Sequence, residues 1–156
     1  MSVKNWKDKI GKNRIYSQDH AGREDVVLWD VLRIENEQWI KVEFISKNSP
    51  YLQGVRLAID VGEGYLDSGG EFAKDMRFWE NTAPKKFYVK CVSTEGLLSV
   101  YNIWNKRNMA ESQMYGSGML IEQDGNKTIY RCHDVSMENV SFDKIVFSIE
   151  KISSKG

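Results

Sequence analysis

Cys132-His133-Asp134 is the run in this chain where a nucleophile, a base and a carboxylate stand side by side. A Cys–His or His–Asp pair activates a nucleophile when the side chains come within hydrogen-bond reach. This run, however, ends an alternating segment, Thr128 to His133, and consecutive residues on a strand point to opposite faces. Cys132 and His133 then do not meet, and the run reads as a strand end. His20, beside Asp19 in a polar stretch, is the second of two histidines. Two histidines and two cysteines without a cluster make no zinc site. Cys91 alternates in phase with Phe87 and Val89 and reads as a small buried hydrophobe. Whether it pairs with Cys132 depends on strand order.

The other candidates are carboxylates. Asp60, Glu63, Asp67 and Glu71 surround glycines in DVGEGYLDSGGE. That stretch lacks the EF-hand spacing, and no G-x-x-x-x-G-K-[ST] phosphate loop is present. It is expected to be an acidic turn. Glu80, Glu111, Asp134 and Glu138 could form the acid–base pair of a small hydrolase, but nothing in their spacing sets a separation. No catalytic residue, metal ligand or cofactor is assigned from the sequence.

The elements that would position these groups are strands. Apolar and polar residues alternate most cleanly over 54–61, where Val55, Leu57, Ile59 and Val61 share one face and Arg56, Ala58 and Asp60 the other. Period-2 patterning marks a strand with one buried face. Similar patterns cover 26–34, 39–46, 72–79, 87–93, 97–104, 119–123, 128–133 and 143–151. The pair 87–93 and 97–104 around Thr94-Glu95-Gly96 predicts a β-hairpin, and Asp124-Gly125 between 119–123 and 128–133 predicts another. Pro50 and Pro84 are the only prolines, and both fall between strands. The fold class is therefore all-β: an antiparallel β-sandwich, jelly-roll-like, of about nine strands, with an open β-barrel as the alternative. One domain is expected over 1–156, with a short helix or flexible arm within 1–15 and a flexible tail at 152–156.

Composition narrows the partners. Twenty-two basic residues balance twenty-two acidic ones, so no broad electrostatic footprint for nucleic acid or membrane is expected. No secretory signal is visible, and a cytoplasmic location is expected unless a leader was removed before residue 1. If successive strands alternate in direction, the long connections 47–53, 80–86, 105–117 and 134–142 gather at one end. That end receives Trp79, Trp104, Tyr115, His133 and Asp134. These are the expected ligand-binding residues, the aromatic rings stacking on a carbohydrate or another flat amphipathic molecule and His133 and Asp134 orienting it. Trp39 shares a face with Lys41 and Glu43 and points outward, which offers a partner-binding surface. The sequence thus supports a non-catalytic ligand-binding protein, with a protein-interaction protein of the inhibitor or immunity type as the alternative and a carboxylate hydrolase as the third.

Overall fold

The computed structural model describes residues 10–106, 108–114, 116–134 and 140–154, and the alternating segments are strands in it. In chain order these are β1 (Ile15–Tyr16), β2 (Val27–Arg33), β3 (Gln38–Lys47), β4 (Leu52–Ala58), β5 (Gly64–Ser68), β6 (Glu71–Ala73) and β7 (Asp75–Trp79). There follow β8 (Lys86–Ser93), β9 (Leu97–Lys106), β10 (Met109–Glu111), β11 (Gly118–Asp124), β12 (Lys127–His133) and β13 (Ile145–Ile152). No helix occurs among the described residues. The arm expected within 1–15 lies mostly outside them.

All strand pairs are antiparallel, and they form one continuous sheet in the order β6-β5-β8-β3-β13-β12-β11-β2-β9-β4-β7, with β1 on β2 and β10 on β9. The all-β class expected from the sequence is the class observed. The sheet rolls until its two edges approach, so of the two arrangements expected it takes the nearly closed barrel. Phe78 on the edge strand β7 packs against Phe87 on β8, ring centroids 4.6 Å apart, although the two strands lie near opposite ends of the sheet order.

One strand turns the corner. β2 pairs with β11 at Val27↔Met119 and then, from Asp30 to Arg33, with β9. Beyond Val27 no ladder joins β2 to β11, which leaves a crease on the inner face. Asp30 fills it, wholly buried. Tyr130 donates its hydroxyl to Asp30 Oδ2 at 2.6 Å, and Arg14 Nε donates to Oδ1 at 2.7 Å. An unpaired carboxylate there would cost several kcal/mol, so these two donors are conditions of the fold.

Inward residues of every long strand make the core, among them Ile40, Val42, Leu57, Leu98, Val100, Tyr130 and Phe147. Tyr130 and Phe147 stack with centroids 4.8 Å apart. Cys91 and Cys132 are free and belong to this core. Two strands, β3 and β13, stand between their own strands in the sheet, so they do not pair.

Two expectations are corrected. The Asp124-Gly125 turn does close a hairpin, with Asp124 opposite Lys127. The segments around Thr94-Glu95-Gly96 do not: β8 pairs with β3 and β5, whereas β9 pairs with β2 and β4. Both faces of β9 are buried over Leu97–Trp104, so its neighbours were chosen by long-range burial and not by the tight turn. The glycine-rich acidic stretch holds a strand, β5, along β8. Gly64 there has φ +151°, and a Cβ would stand 1.9 Å from the Val92 carbonyl oxygen, so only glycine fits.

Replacing Tyr130 by Phe removes one hydrogen bond to a buried carboxylate and leaves Arg14 in place. The expected loss is about 1.5–3 kcal/mol, seen as a lower urea midpoint with unchanged slope. An unchanged midpoint would show that the crease does not depend on this contact. Burial pushes the Cys91 thiol up to about 12 and holds the Cys132 thiol well above its ordinary value. Since only the thiolate reacts, neither cysteine should react with a disulfide reagent at neutral pH until the protein unfolds. Rapid labelling of the native chain would contradict their placement.

Candidate functional site

The long connections do meet at one end of the barrel. Glu80 N donates to Gln53 O at 2.9 Å, and Lys47 Nζ pairs with Glu80 Oε2 at 2.8 Å. Asn48 Nδ2 donates to Asp143 Oδ2 at 2.9 Å, tying 47–53 to the segment after Asp134. Gly116 N donates to Asp19 Oδ2 at 3.1 Å, which brings the loop before β2 to the same end.

The ligand-binding residues expected there turn inward. Trp104 is fully buried, its Nε1 donating to Glu111 Oε1 at 2.8 Å, so neither face of its ring is open to a sugar. Trp79 is half-buried and packs against the core. His133 is fully buried, and its Nδ1 lies 3.0 Å from Ser141 O and 3.3 Å from Ser141 N. Asp134, 2 % exposed, accepts from Ser49 Oγ at 2.7 Å and Gln53 Nε2 at 3.2 Å. Tyr115 lies outside the described residues. The end is thus a polar plug in which the groups sequence analysis selected hold the loops to one another.

The same holds for the carboxylates considered for hydrolysis. Glu80 faces Lys47, Glu111 faces Trp104 and Asp134 faces Ser49 and Gln53. Glu138 lies outside the described residues. No group of three or more metal-ligating side chains converges among the described residues.

The outer face of the sheet is different. Trp39, Lys41 and Glu43 alternate outward from β3, each half-buried, while Ile40, Val42 and Phe44 point in. Register extends this face across five strands. Phe72 on β6 stands opposite Asp67 on β5, Asp67 opposite Lys90 on β8, Lys90 opposite Trp39, and Trp39 opposite Ile152 on β13. Directly opposed residues share a face. One straight row therefore reads Phe72, Asp67, Lys90, Trp39, Ile152. Beside it Tyr65 stands opposite Val92 and meets Phe72 edge to face, centroids 5.4 Å apart. Phe72 is 64 % exposed and Tyr65 41 %.

Salt bridges rim this row. Lys90 pairs with Glu37 at 3.1 Å and Lys41 with Glu150 at 3.2 Å. Its hydrogen bond to the Glu150 carboxylate holds the Lys41 ammonium above its ordinary pKa. Such surface pairs add little stability but set charge positions. Next to Tyr88, where the sheet edges approach, Phe78, Ala83, Pro84 and Phe87 line an apolar cleft of about 330 Å³.

Sequence analysis missed Tyr65 and Phe72. Tyr65 lay in the stretch expected to be a turn, though the order Gly64-Tyr65-Leu66-Asp67 already alternates. Phe72 opens the segment 72–79 expected to be one strand, but the chain bends at Lys74 between β6 and β7, and the phase changes there. Compared with protein-family models, curated proteins and solved structures, the chain shows no significant match to any.

The Asn48–Asp143 clasp yields a pH prediction. Hydrogen bonds from Ser141 Oγ and then Asn48 hold the Asp143 carboxyl below its ordinary range, against a small opposing effect of burial. A carboxyl with a depressed folded pKa stabilises above its unfolded pKa, and that contribution is lost as pH falls through the folded value. A carbon-detected NMR titration should place Asp143 below an exposed aspartate, and Asn48→Ala should move it upward. An ordinary midpoint in both proteins would remove the clasp.

Proposed function

We propose that this chain is a non-catalytic protein-interaction module of the inhibitor or immunity type, and that it binds its partner on the outer face of β6-β5-β8-β3-β13. The row from Phe72 to Ile152 carries the reading. Water-exposed strand faces are ordinarily polar, yet this one presents Phe72, Tyr65, Tyr88 and Trp39 across four strands, with Ile152 on the fifth. Aromatic anchors within a charged rim are the composition of protein interfaces, where Trp and Tyr dominate the binding energy. Glu37 and Glu150 would supply that rim, Lys41 and Lys90 would place charge between the rings, and the apolar cleft beside Tyr88 would receive an anchor side chain from the partner.

The polar end speaks for the same reading from the other side. A ligand stacked on Trp104, or a reaction using Asp134, would have to displace buried hydrogen bonds that hold the loops. The outer face needs no such rearrangement, consistent with the small backbone movements of most preorganised interfaces.

The test uses the folded chain and one exposed substitution. Phe72→Asp leaves the core untouched and should melt within a degree or two of the parent. Immobilised parent and variant are compared for proteins retained from the native lysate, and retained candidates are then measured against both. A partner bound by the parent should lose about thirtyfold or more in affinity for the variant, the scale of a binding hot spot. Trp39→Ala should weaken the same partner. If parent and variants retain the same proteins with equal affinity, or the parent retains none, this face is not the interaction surface.

A further inference from the structure

The two ladders of β8 do not cover the same residues. Against β3 the pairing runs from Lys86 to Cys91, whereas against β5 it runs from Ser93 and stops at Lys90↔Asp67. There the chain turns away through Gly69 and Gly70, and a Cβ added to either would meet nothing within 4 Å. Main-chain groups of successive residues face opposite sides of a strand. Lys85 O accepts from Phe44 N on the β3 side at 2.9 Å, and Thr94 N donates to Glu63 O on the β5 side at 3.0 Å. Odd-numbered residues along this stretch therefore turn their main chain to β3 and even-numbered ones to β5. Lys86 and Tyr88 thus present N–H and C=O on a side where, among the described residues, no strand pairs with them.

The apolar cleft of about 330 Å³ lies on this line. Its lining joins Ser68 and Gly69, at the end of β5, to Phe78, Ala83, Pro84 and Phe87. Carried on in the β5 register, a residue facing Tyr88 points outward and the next, facing Phe87, points inward onto Phe78. The one after faces Lys86 and points outward again. Charge differs between the two ends. Asp67 and Glu71 flank the Gly69-Gly70 turn. At the other end Lys47 is paired with Glu80, and Glu43 stands opposite Lys86. Exposed Lys85 is left without an ion-pair partner among the described residues. A strand antiparallel to β8, as β5 is, runs from the acidic end to the basic one.

We infer that a partner protein extends the sheet here by strand addition. An extended segment, antiparallel to β8, pairs its main chain with Tyr88 and Lys86 and sets an apolar side chain into the cleft. An acidic residue follows it, beside Lys85 and Lys86. No covalent bond is made or broken. The inference rests on the interaction face proposed above and names the form in which the partner reaches it: main-chain pairing supplies affinity, while the cleft and the lysines select the segment.

The probe is the peptide acetyl-Gly-Thr-Phe-Asp-Thr-amide, titrated into the isotope-labelled chain and followed by amide NMR. It should shift the amides of Gly69, Lys86, Phe87 and Tyr88 saturably at millimolar concentration. Replacing its Phe by Ala should weaken it about tenfold. N-methylation of its first Thr removes the donor to Tyr88 O and keeps the apolar contact, and should also cost about tenfold. That loss separates strand addition from simple filling of the cleft. Lys85→Glu, at an exposed side chain, should leave the melting temperature unchanged, weaken the peptide several-fold, and favour the version with Lys in place of Asp. Equal binding of the N-methylated peptide, shifts indifferent to Lys85→Glu, or no saturable shift into the tens of millimolar would each overturn the assignment. So would Tyr88 and Lys86 amides that move with protein concentration alone, since a second copy of the chain would then hold this edge. Phe72→Asp should leave the peptide unaffected. A partner lost on Phe72→Asp from a chain that binds no peptide would overturn strand addition and keep the interaction face. A peptide bound as described by a chain whose partners ignore Phe72→Asp would remove the aromatic row and keep the cleft.

Discussion

The barrel depends on one buried carboxylate. A sheet that rolls must release one ladder where it turns, and β2 releases β11 after Val27. Main-chain hydrogen bonds no longer join the two halves at that point, so side chains must do it. Asp30 is suited to this because an ionised carboxylate accepts several strong hydrogen bonds, and it takes one from β12 through Tyr130 and one from Arg14 beside β1. Tyr130 in turn stacks on Phe147 of β13, so the contact reaches the middle of the core. An apolar residue at position 30 could pack there but would not tie the halves in register.

That requirement also explains where charge is exposed. Arg14 must lie close enough to neutralise Asp30, yet it enters from the barrel's margin, and only part of it is covered. Burial lowers its pKa, while Asp30 and the Tyr16 hydroxyl outweigh that and raise it above the ordinary value. A similar logic governs Arg56 on the opposite half, which lies over the adjacent rings of Trp29 and Tyr101, at 5.5 and 5.1 Å, and pairs with Asp60 and Asp75. That guanidinium is enclosed by its partners, whereas the one at Arg14, held by Asp30 and the Tyr16 hydroxyl, stays partly exposed.

Much of the architecture was readable from alternation. Most of the long strands were legible from period-2 patterning, because one buried face imposes it directly, while β9, buried on both faces, showed itself as a nearly continuous apolar run. The short strands were not. β1 has two residues and β10 three, too few to show a period, and β5 was hidden by Gly64, whose presence reflects the close passage of β8 and not a loop. Apart from the Asp124-Gly125 hairpin, strand partners were unreadable as well, since β9 is apolar on both faces and its pattern is equally compatible with any neighbour. For the site, topology brought 47–53, Glu80, Asp134 and Asp143 together, but depth was beyond it. Trp104 and Asp134 are buried because loops fold over them, and no local pattern encodes that. Asp30 was the missed signal: a carboxylate inside VVLWDVLRI at an inward position demands partners, and asking for them would have singled out Arg14 and a buried tyrosine.

What remains for binding follows from how the inner surface is used. The barrel interior is filled by aliphatic and aromatic side chains, and its loop end is closed by Trp104, Gln53, His133 and Asp134, so the polar groups there stabilise the closure. Only the outer surface is free to vary. On most of it polar residues alternate outward, as on β12, where Arg131 is exposed beside buried Tyr130 and Cys132. On β6-β5-β8-β3 the outward positions hold aromatic rings, which gain nothing from facing water and raise the risk of association. The lysines interleaved with them, Lys41 and Lys90, hold that risk down by keeping charge between the rings, and the short edge strand β6 limits strand-to-strand pairing. A surface that keeps its rings exposed while guarding against indiscriminate contact is what the proposed binding of one partner would require.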